Sequence, residues 1–265
     1  MSRAAEQVDA LLALMRTLRD PQDGCPWDRE QSFASIAPFT IEEAYEVADA
    51  IARGDLERLR DELGDLLFHV VFHACMAEEL GRFDFAGVAQ GIRDKLVRRH
   101  PHVFAERTAI DVPHLHVSWE AQKARERAAQ GAPGALADVP RALPALVRAA
   151  KLGRRARRVG FDWDGPAGVR TKIDEELAEI DQAIKLGQRE AVAEELGDLL
   201  FTLANWARHL ELDAEDALRA AALKFERRFE FMELEAKRRG MVLQELSAAQ
   251  WEELWGAAKS LNHKS

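Results

Sequence analysis

Glu62-Leu63-Gly64-Asp65-Leu66-Leu67-Phe68 returns without a change as Glu195-Leu196-Gly197-Asp198-Leu199-Leu200-Phe201, 133 residues further along the chain. The same offset lays Glu42, Glu43, Glu46, Ala50 and Ile51 on Glu175, Glu176, Glu179, Ala183 and Ile184. Two acidic segments and the distance between them are therefore duplicated together, which marks a tandem of one module. A further segment, Lys95-Leu96-Val97-Arg98-Arg99, matches Lys224-Phe225-Glu226-Arg227-Arg228 at an offset of 129, so the second copy is shorter between motifs. Ahead of the acids, Trp27-Asp28 has its counterpart in Trp163-Asp164.

The repeated segments carry the helical period. Leu63, Leu66, Leu67 and Val70 fall on one helical face, as do Val8, Leu11, Leu12, Met15 and Leu18, and few alternating β-branched runs compete. Thr40 is the predicted cap of the first acidic helix, with Glu43 three residues on as in a capping box; Gly54 and Gly187 are predicted stops before the second acidic helix of each copy. Gly131, Pro133 and Gly134 break any helix between the copies. The expectation is an all-α fold of tandem helical-bundle modules: an N-terminal domain over 1–126, a linker over 127–137 and a C-terminal domain over 138–265.

The chain has 265 residues, of which 47% are hydrophobic and 31% charged, a globular balance with room for two ordinary domains. It has no unbroken apolar run long enough for a membrane span or a signal peptide, so a cytoplasmic protein is expected. Cys25 and Cys75 are too few for a disulfide framework or a four-thiolate zinc site. A net charge of −9 disfavours binding to a nucleic acid polymer, whose affinity comes from Lys and Arg neutralising phosphates. A small anionic ligand remains open to the chain if local cations offset its acidity. No Walker-type loop, nucleophile elbow or CxxC is present.

Residues three apart in a helix differ by about 60° around the axis and those four apart by about 40°, so Glu176 and Glu179 share a face, as do Glu195 and Asp198. The residues between Ile180 and Glu194 allow a turn at Gly187 and an antiparallel return, which sets the two pairs against each other. Glu43, Glu46, Glu62 and Asp65 form the matching quartet of the first copy. An isolated Glu-x-x-Glu usually makes only a solvated face, but a solvated face has no need to keep four acids in register through a duplication. Converging carboxylates repel one another and favour bound cations. An all-oxygen donor set without His or Cys points to Mg²⁺, with Mn²⁺ as a substitute, and away from di-iron chemistry, which uses Glu-x-x-His.

Cations and aromatics accompany the acids. Lys224, Arg227 and Arg228 lie on one helix edge suited to phosphate oxygens, or to a surface salt-bridge row, and recur as Lys95, Arg98 and Arg99. Lys172 stands one turn before Glu176, whereas its first-copy equivalent is Phe39. Trp255 can stack on a base or pack in the core, and the spacing from Trp255 to Lys259 recurs from Trp119 to Lys123. His69 and His73 imitate a metal pair, but the second copy has Thr202 and Trp206 there, so packing or interface roles are expected. His100 and His102 flank Pro101 beyond the basic row, where a helix end is expected.

Assembled, these residues closely resemble the two-repeat bacterial MazG family of nucleoside triphosphate pyrophosphohydrolases, over nearly the whole chain. The markers are Cys25-Pro26-Trp27-Asp28, the two acidic quartets, Lys95 through Phe104, Ser118-Trp119-Glu120 and Gly160-Phe161-Asp162-Trp163. The resemblance implies a homodimeric all-α enzyme that converts a nucleoside triphosphate and water into the monophosphate and pyrophosphate. It implies Mg²⁺ on Glu176, Glu179, Glu195 and Asp198, phosphates on Lys172, Lys224 and Arg228, and Trp255 near the base, with Arg227 and Glu175 adjacent. Either Glu175 or Glu176 orients the attacking water. It also implies that the second copy is the main catalytic one. Two alternatives stay open: a narrower enzyme of the same fold acting on dUTP, dCTP or phosphoribosyl-ATP, and a non-catalytic helical scaffold.

Overall fold

A computed structural model of the chain describes residues 2–104 and 134–261, and every regular element among them is helical. The contacts divide the chain into two compact units, Met1–Arg125 and Glu126–Ser265. Most of the linker expected at 127–137, together with Ser118, Trp119 and Lys123, lies outside the described residues.

In the first unit, α1 (Arg3–Leu18) and the short α2 (Pro26–Glu30) precede a long helical hairpin, α3 (Phe33–Arg53) and α4 (Leu56–Glu79), followed by α5 (Phe85–Arg99) and α6 (Pro101–Phe104). The hairpin turns at Gly54, whose φ of 70° is the left-handed conformation that a Cβ disfavours, as expected of a helix stop. Asp55 then caps α4 by accepting from the Arg58 amide. A connection this short leaves α3 and α4 antiparallel and in contact. The core consists of Met15, Ile36, Val71, Phe72, Cys75 and Met76, with Leu11, Leu12, Phe68 and Phe85 around it.

One expectation is corrected here. Thr40 is not a cap: the cap lies eight residues earlier, at a reciprocal capping box between Ser32 and Ser35, and Pro38 is accommodated inside the helix. Once Thr40 is interior, its hydroxyl donates to the Ile36 carbonyl one turn back and meets His73 Nε2 at 3.1 Å. Leu63, Leu67 and Val70, which the helical period groups on one face, are exposed within the chain. The buried side of α4 instead carries Glu62 and His69 and then the core residues from Val71 onward.

The second unit contains α7 (Ala145–Arg157), the hairpin α8 (Pro166–Lys185) and α9 (Arg189–His209), then α10 (Ala214–Arg238), a 3₁₀ turn at Leu243–Glu245 and α11 (Ala248–Leu261). Gly187, with φ of 65°, ends α8 just as Gly54 ends α3. Helix α9 packs on both α8 and α7. Its approach to α7 requires Gly153, because a Cβ there would stand 1.8 Å from Asn205 Oδ1. Asn205 is fully buried; its amide donates to the Phe201 carbonyl and its Oδ1 accepts from Arg208 Nε. Arg208 then forks onto Asp162 at 3.0 and 2.5 Å, and His209 Nε2 meets the same carboxylate at 3.0 Å. This polar chain ties α9 to the loop before α8. Met232, Ala236, Leu254 and Ala258 form a second core where α10 meets α11.

Candidate active site

The two hairpins do what the acidic spacing predicts in part. In the second unit, one carboxylate oxygen from each of Glu176, Glu179 and Glu195 lies within 4.8 Å of the other two, joining α8 to α9. In the first unit, Glu43, Glu62 and Asp65 converge to the same limit, joining α3 to α4. Each group therefore contains three of its four predicted acids, and the missing corner differs. Asp198 stands outside the tight group of the second copy and Glu46 outside that of the first, although each is near enough to act on its neighbours electrostatically.

Burial and charge set the character of the groups. Glu176 is only 2% exposed, while Glu179 and Asp198 reach solvent and Glu195 is half-buried. Desolvation, then the charges of Glu179, Glu176 and Asp198, push the Glu195 carboxyl above its ordinary value. Glu43 is raised in the same way, by burial first and then by Asp65, Glu46 and Glu62. Such a set is short of positive charge. An all-oxygen group of this span fits Mg²⁺: bonds of about 2.1 Å place opposite ligands of one ion about 4.2 Å apart, so only small side-chain movements separate the observed triad from a coordinating one.

Among the described residues each group has one lysine or arginine side chain paired with it, and the two differ. Lys172 Nζ lies 2.7 Å from Glu175, 3.0 Å from Glu176 and 4.0 Å from Glu179. Its hydrogen bonds to Glu175 and Glu176 raise its pKa strongly, so it is a permanent positive charge at the edge of the triad. In the first copy the position of Lys172 is the exposed Phe39, and Arg58 supplies the charge instead, with Nε 2.9 Å from Glu62 and Nη2 3.5 Å from Glu46. Sequence reading passed over Arg58 because it lies outside the shared motif. Its signal was available in the i,i+4 spacing to Glu62 and in the loss of any counterpart, since the 133-residue offset leads to Ala191.

The remaining predicted residues lie on the last helices. Lys224 and Arg227 are exposed on α10, and the half-buried Arg228 guanidinium stacks on the Trp255 ring at 5.5 Å. Trp255, on α11, also meets Phe225 at 5.8 Å and Lys259 at 6.0 Å. The structure thus joins Arg228 to Trp255 as one cation–π unit. The first-copy basic row, Lys95, Arg98 and Arg99, lies on α5, which buries no residue. His73 stacks on Phe33, while the buried His69 has Nε2 3.7 Å from Glu43 and is pushed below its usual value chiefly by desolvation. His100 and His102 flank the start of the short α6 at Pro101.

Comparison with known proteins bears on this arrangement directly. The family described as the MazG nucleotide pyrophosphohydrolase domain matches twice, at residues 31–104 and 165–231, and each match contains one acidic quartet and one basic row. The nucleoside triphosphate pyrophosphohydrolase of Escherichia coli (strain K12) is 51% identical over 257 residues, which cover 96% of this chain and 97% of the relative. The nucleoside triphosphate pyrophosphohydrolase/pyrophosphatase MazG of Thermotoga maritima is 40% identical over 259 residues, 98% of each chain. The nucleoside triphosphate pyrophosphohydrolase of Mycolicibacterium smegmatis is 34% identical over 211 residues, 71% of this chain and 64% of the relative. With two converging acidic triads on two helical hairpins and likeness to relatives over nearly its full length, the chain belongs to the MazG nucleotide pyrophosphohydrolase family.

Proposed function

We propose that this chain is a Mg²⁺-dependent nucleoside triphosphate pyrophosphohydrolase of broad ribo- and deoxyribonucleotide specificity, a cytoplasmic housekeeping enzyme of the nucleotide pool. Its catalytic copy is the C-terminal module over 138–265, paired with an N-terminal module over 1–126. The observation that carries the reading is the triad of Glu176, Glu179 and Glu195 with Lys172 at its edge, because among the described residues only the second copy combines the acids with a lysine. The family and the names of its relatives supply the reaction class.

In this reading Glu176, Glu179, Glu195 and Asp198 hold the ion, with Mn²⁺ an acceptable substitute. When bound, Mg²⁺ offsets phosphate charge and polarises the phosphoryl group under attack. Lys172 places a fixed ammonium beside the same oxygens, and transfers its contacts from Glu175 and Glu176 to phosphate as substrate enters. Glu175 is released by that exchange, which suits it, like Glu176, to accept a proton from the attacking water. Lys224 and Arg227 offer exposed charges to the phosphates, and the Arg228–Trp255 pair offers a flat surface to base and phosphate together, a contact that places little demand on base identity. Cleavage between the first and second phosphates yields the nucleoside monophosphate and pyrophosphate.

The test is an assay of all common ribo- and deoxynucleoside triphosphates with Mg²⁺. The expected result is equimolar monophosphate and pyrophosphate from most of them, abolished by EDTA. Acceptance of one nucleotide alone would move the assignment to a narrow enzyme of the same fold, and an absence of pyrophosphate from every substrate would leave only the scaffold.

The same reading includes a homodimer. Leu63, Leu67 and Val70 on α4 and their duplicates Leu196, Leu200 and Leu203 on α9 are each at least 36% exposed, at the spacing of a continuous helical stripe. A stripe kept in register in both copies, on the back of each acid-bearing helix, fits a second copy of the chain. Sedimentation at micromolar concentration is expected to give a dimer, and a monomer there would remove this part of the proposal.

A further inference from the structure

The two copies neutralise their acids differently, and the difference is geometric as well as chemical. In the second copy Lys172 reaches Glu175, Glu176 and Glu179, all on its own helix α8. Among the described residues no basic side chain pairs with Glu195 or Asp198 on α9, so the gap between the two acid-bearing helices is left for another cation. In the first copy Arg58 spans that gap. Its Nε donates to Glu62 on α4 at 2.9 Å while Nη2 reaches Glu46 on α3 at 3.5 Å. Glu46 is the acid absent from the first triad, and Glu179, its duplicate, is present in the second. Under the 133-residue offset Arg58 becomes Ala191, so the second copy lacks the side chain that makes this bridge.

We propose that Arg58 is a built-in cation of the first copy: it bridges α3 and α4 where a divalent ion would otherwise do so, holds Glu46 away from the other acids, and lowers the affinity of that copy for the ion. The inference rests on the reading that these carboxylate groups take a divalent cation, and it adds a cause for the inequality of the two copies. A guanidinium suits the task because its forked donors serve two carboxylates at once and its charge is not lost at any ordinary pH. An arriving ion must break those contacts and accept a positive charge nearby. Arg58 is 42% exposed, so solvent screens it and the penalty is limited. An effect of about tenfold on the dissociation constant is expected, not a complete block.

Manganese serves as the probe, with free Mn²⁺ read by electron paramagnetic resonance on the full-length chain. In a parent carrying Glu176→Gln and Glu195→Gln, which disable the second group, adding Arg58→Ala should tighten Mn²⁺ binding about tenfold. The reciprocal change, Ala191→Arg in the otherwise natural chain, should weaken Mn²⁺ binding at the second group by a similar factor; it also serves if Arg58→Ala does not fold. Equal affinities with and without Arg58, or no effect of Ala191→Arg while the natural chain still binds Mn²⁺, would overturn the inference and leave the proposed function standing. No Mn²⁺ binding by the natural chain would overturn both.

Discussion

Alanine in place of Glu176 is expected to lower kcat/KM for nucleoside triphosphate hydrolysis by on the order of a thousandfold or more, with the fold intact. Glu176 is the most buried of the eight acids in the two quartets, its side chain 3% exposed and 3.0 Å from Lys172 Nζ. It lies where α8 faces α9 and lends one oxygen to the triad. Under the proposed function, removing it would take away an ion contact, loosen Lys172 and delete one of the two carboxylates suited to receive the proton of the attacking water. Stability should suffer little, because the lost group is a charge in a crowded acidic environment and Lys172 keeps Glu175 at 2.7 Å. Thermal unfolding with and without Mg²⁺ checks this, since stabilisation by the ion should shrink along with activity. The matched control is Glu43→Ala, the same position in the first copy, which should keep most of the hydrolysis. Loss of activity in Glu43→Ala with survival in Glu176→Ala would reverse the assignment of the copies.

The contrast between those two positions shows what the sequence could and could not reveal. Period and repetition made the helices, both hairpin turns at Gly54 and Gly187, and the pairing of acids across each hairpin legible, since these depend on local geometry and chain reach. The start of α3 was not legible from Thr40. Ser32 offered an earlier cap, and a proline near the beginning of a helix is less of a barrier than one in its centre. Helical periodicity grouped Leu63, Leu67 and Val70 on one face but could not say what covers that face, because that depends on neighbours distant in sequence or in another chain. The same limit applies to the acids. Angular position brings four carboxylates to one side of a hairpin, whereas which three converge is decided by a partner such as Arg58, drawn from outside the repeated motif.

Alanine in place of Asp162 is expected to produce the opposite pattern, a large loss of stability in the second unit with modest effect on the chemistry once folded. Asp162 entered the sequence reading only as part of Gly160-Phe161-Asp162-Trp163; in the structure it takes both terminal nitrogens of Arg208 and His209 Nε2. The Arg208 side chain is 6% exposed, so deleting its partner strands a buried guanidinium, at a cost of about 3–5 kcal/mol. Amide exchange of α9 should accelerate while that of α4 in the first unit stays unchanged; equal protection of α9 in both proteins would refute the role.

Acid titration gives a second, independent reading of the same contact. The Arg208 hydrogen bonds, with help from His209, hold the Asp162 carboxyl down at about 2, against an ordinary 3.8. A depressed carboxylate contributes stability that is complete above its unfolded value and disappears as pH falls through the folded one, so the contribution fades between about pH 4 and pH 2 and amounts to about 2 kcal/mol. The stability difference between the natural chain and Asp162→Ala, measured by urea unfolding, should therefore narrow by about that amount across this window; a constant difference would mean that the carboxylate charge is not what holds Arg208. Asp198 and Arg208 are ten residues apart on α9, about 15 Å along the axis, so the clamp does not touch the acids directly. It acts on them by keeping α9 seated, which is why Asp162 should be read in unfolding and exchange and Glu176 in turnover.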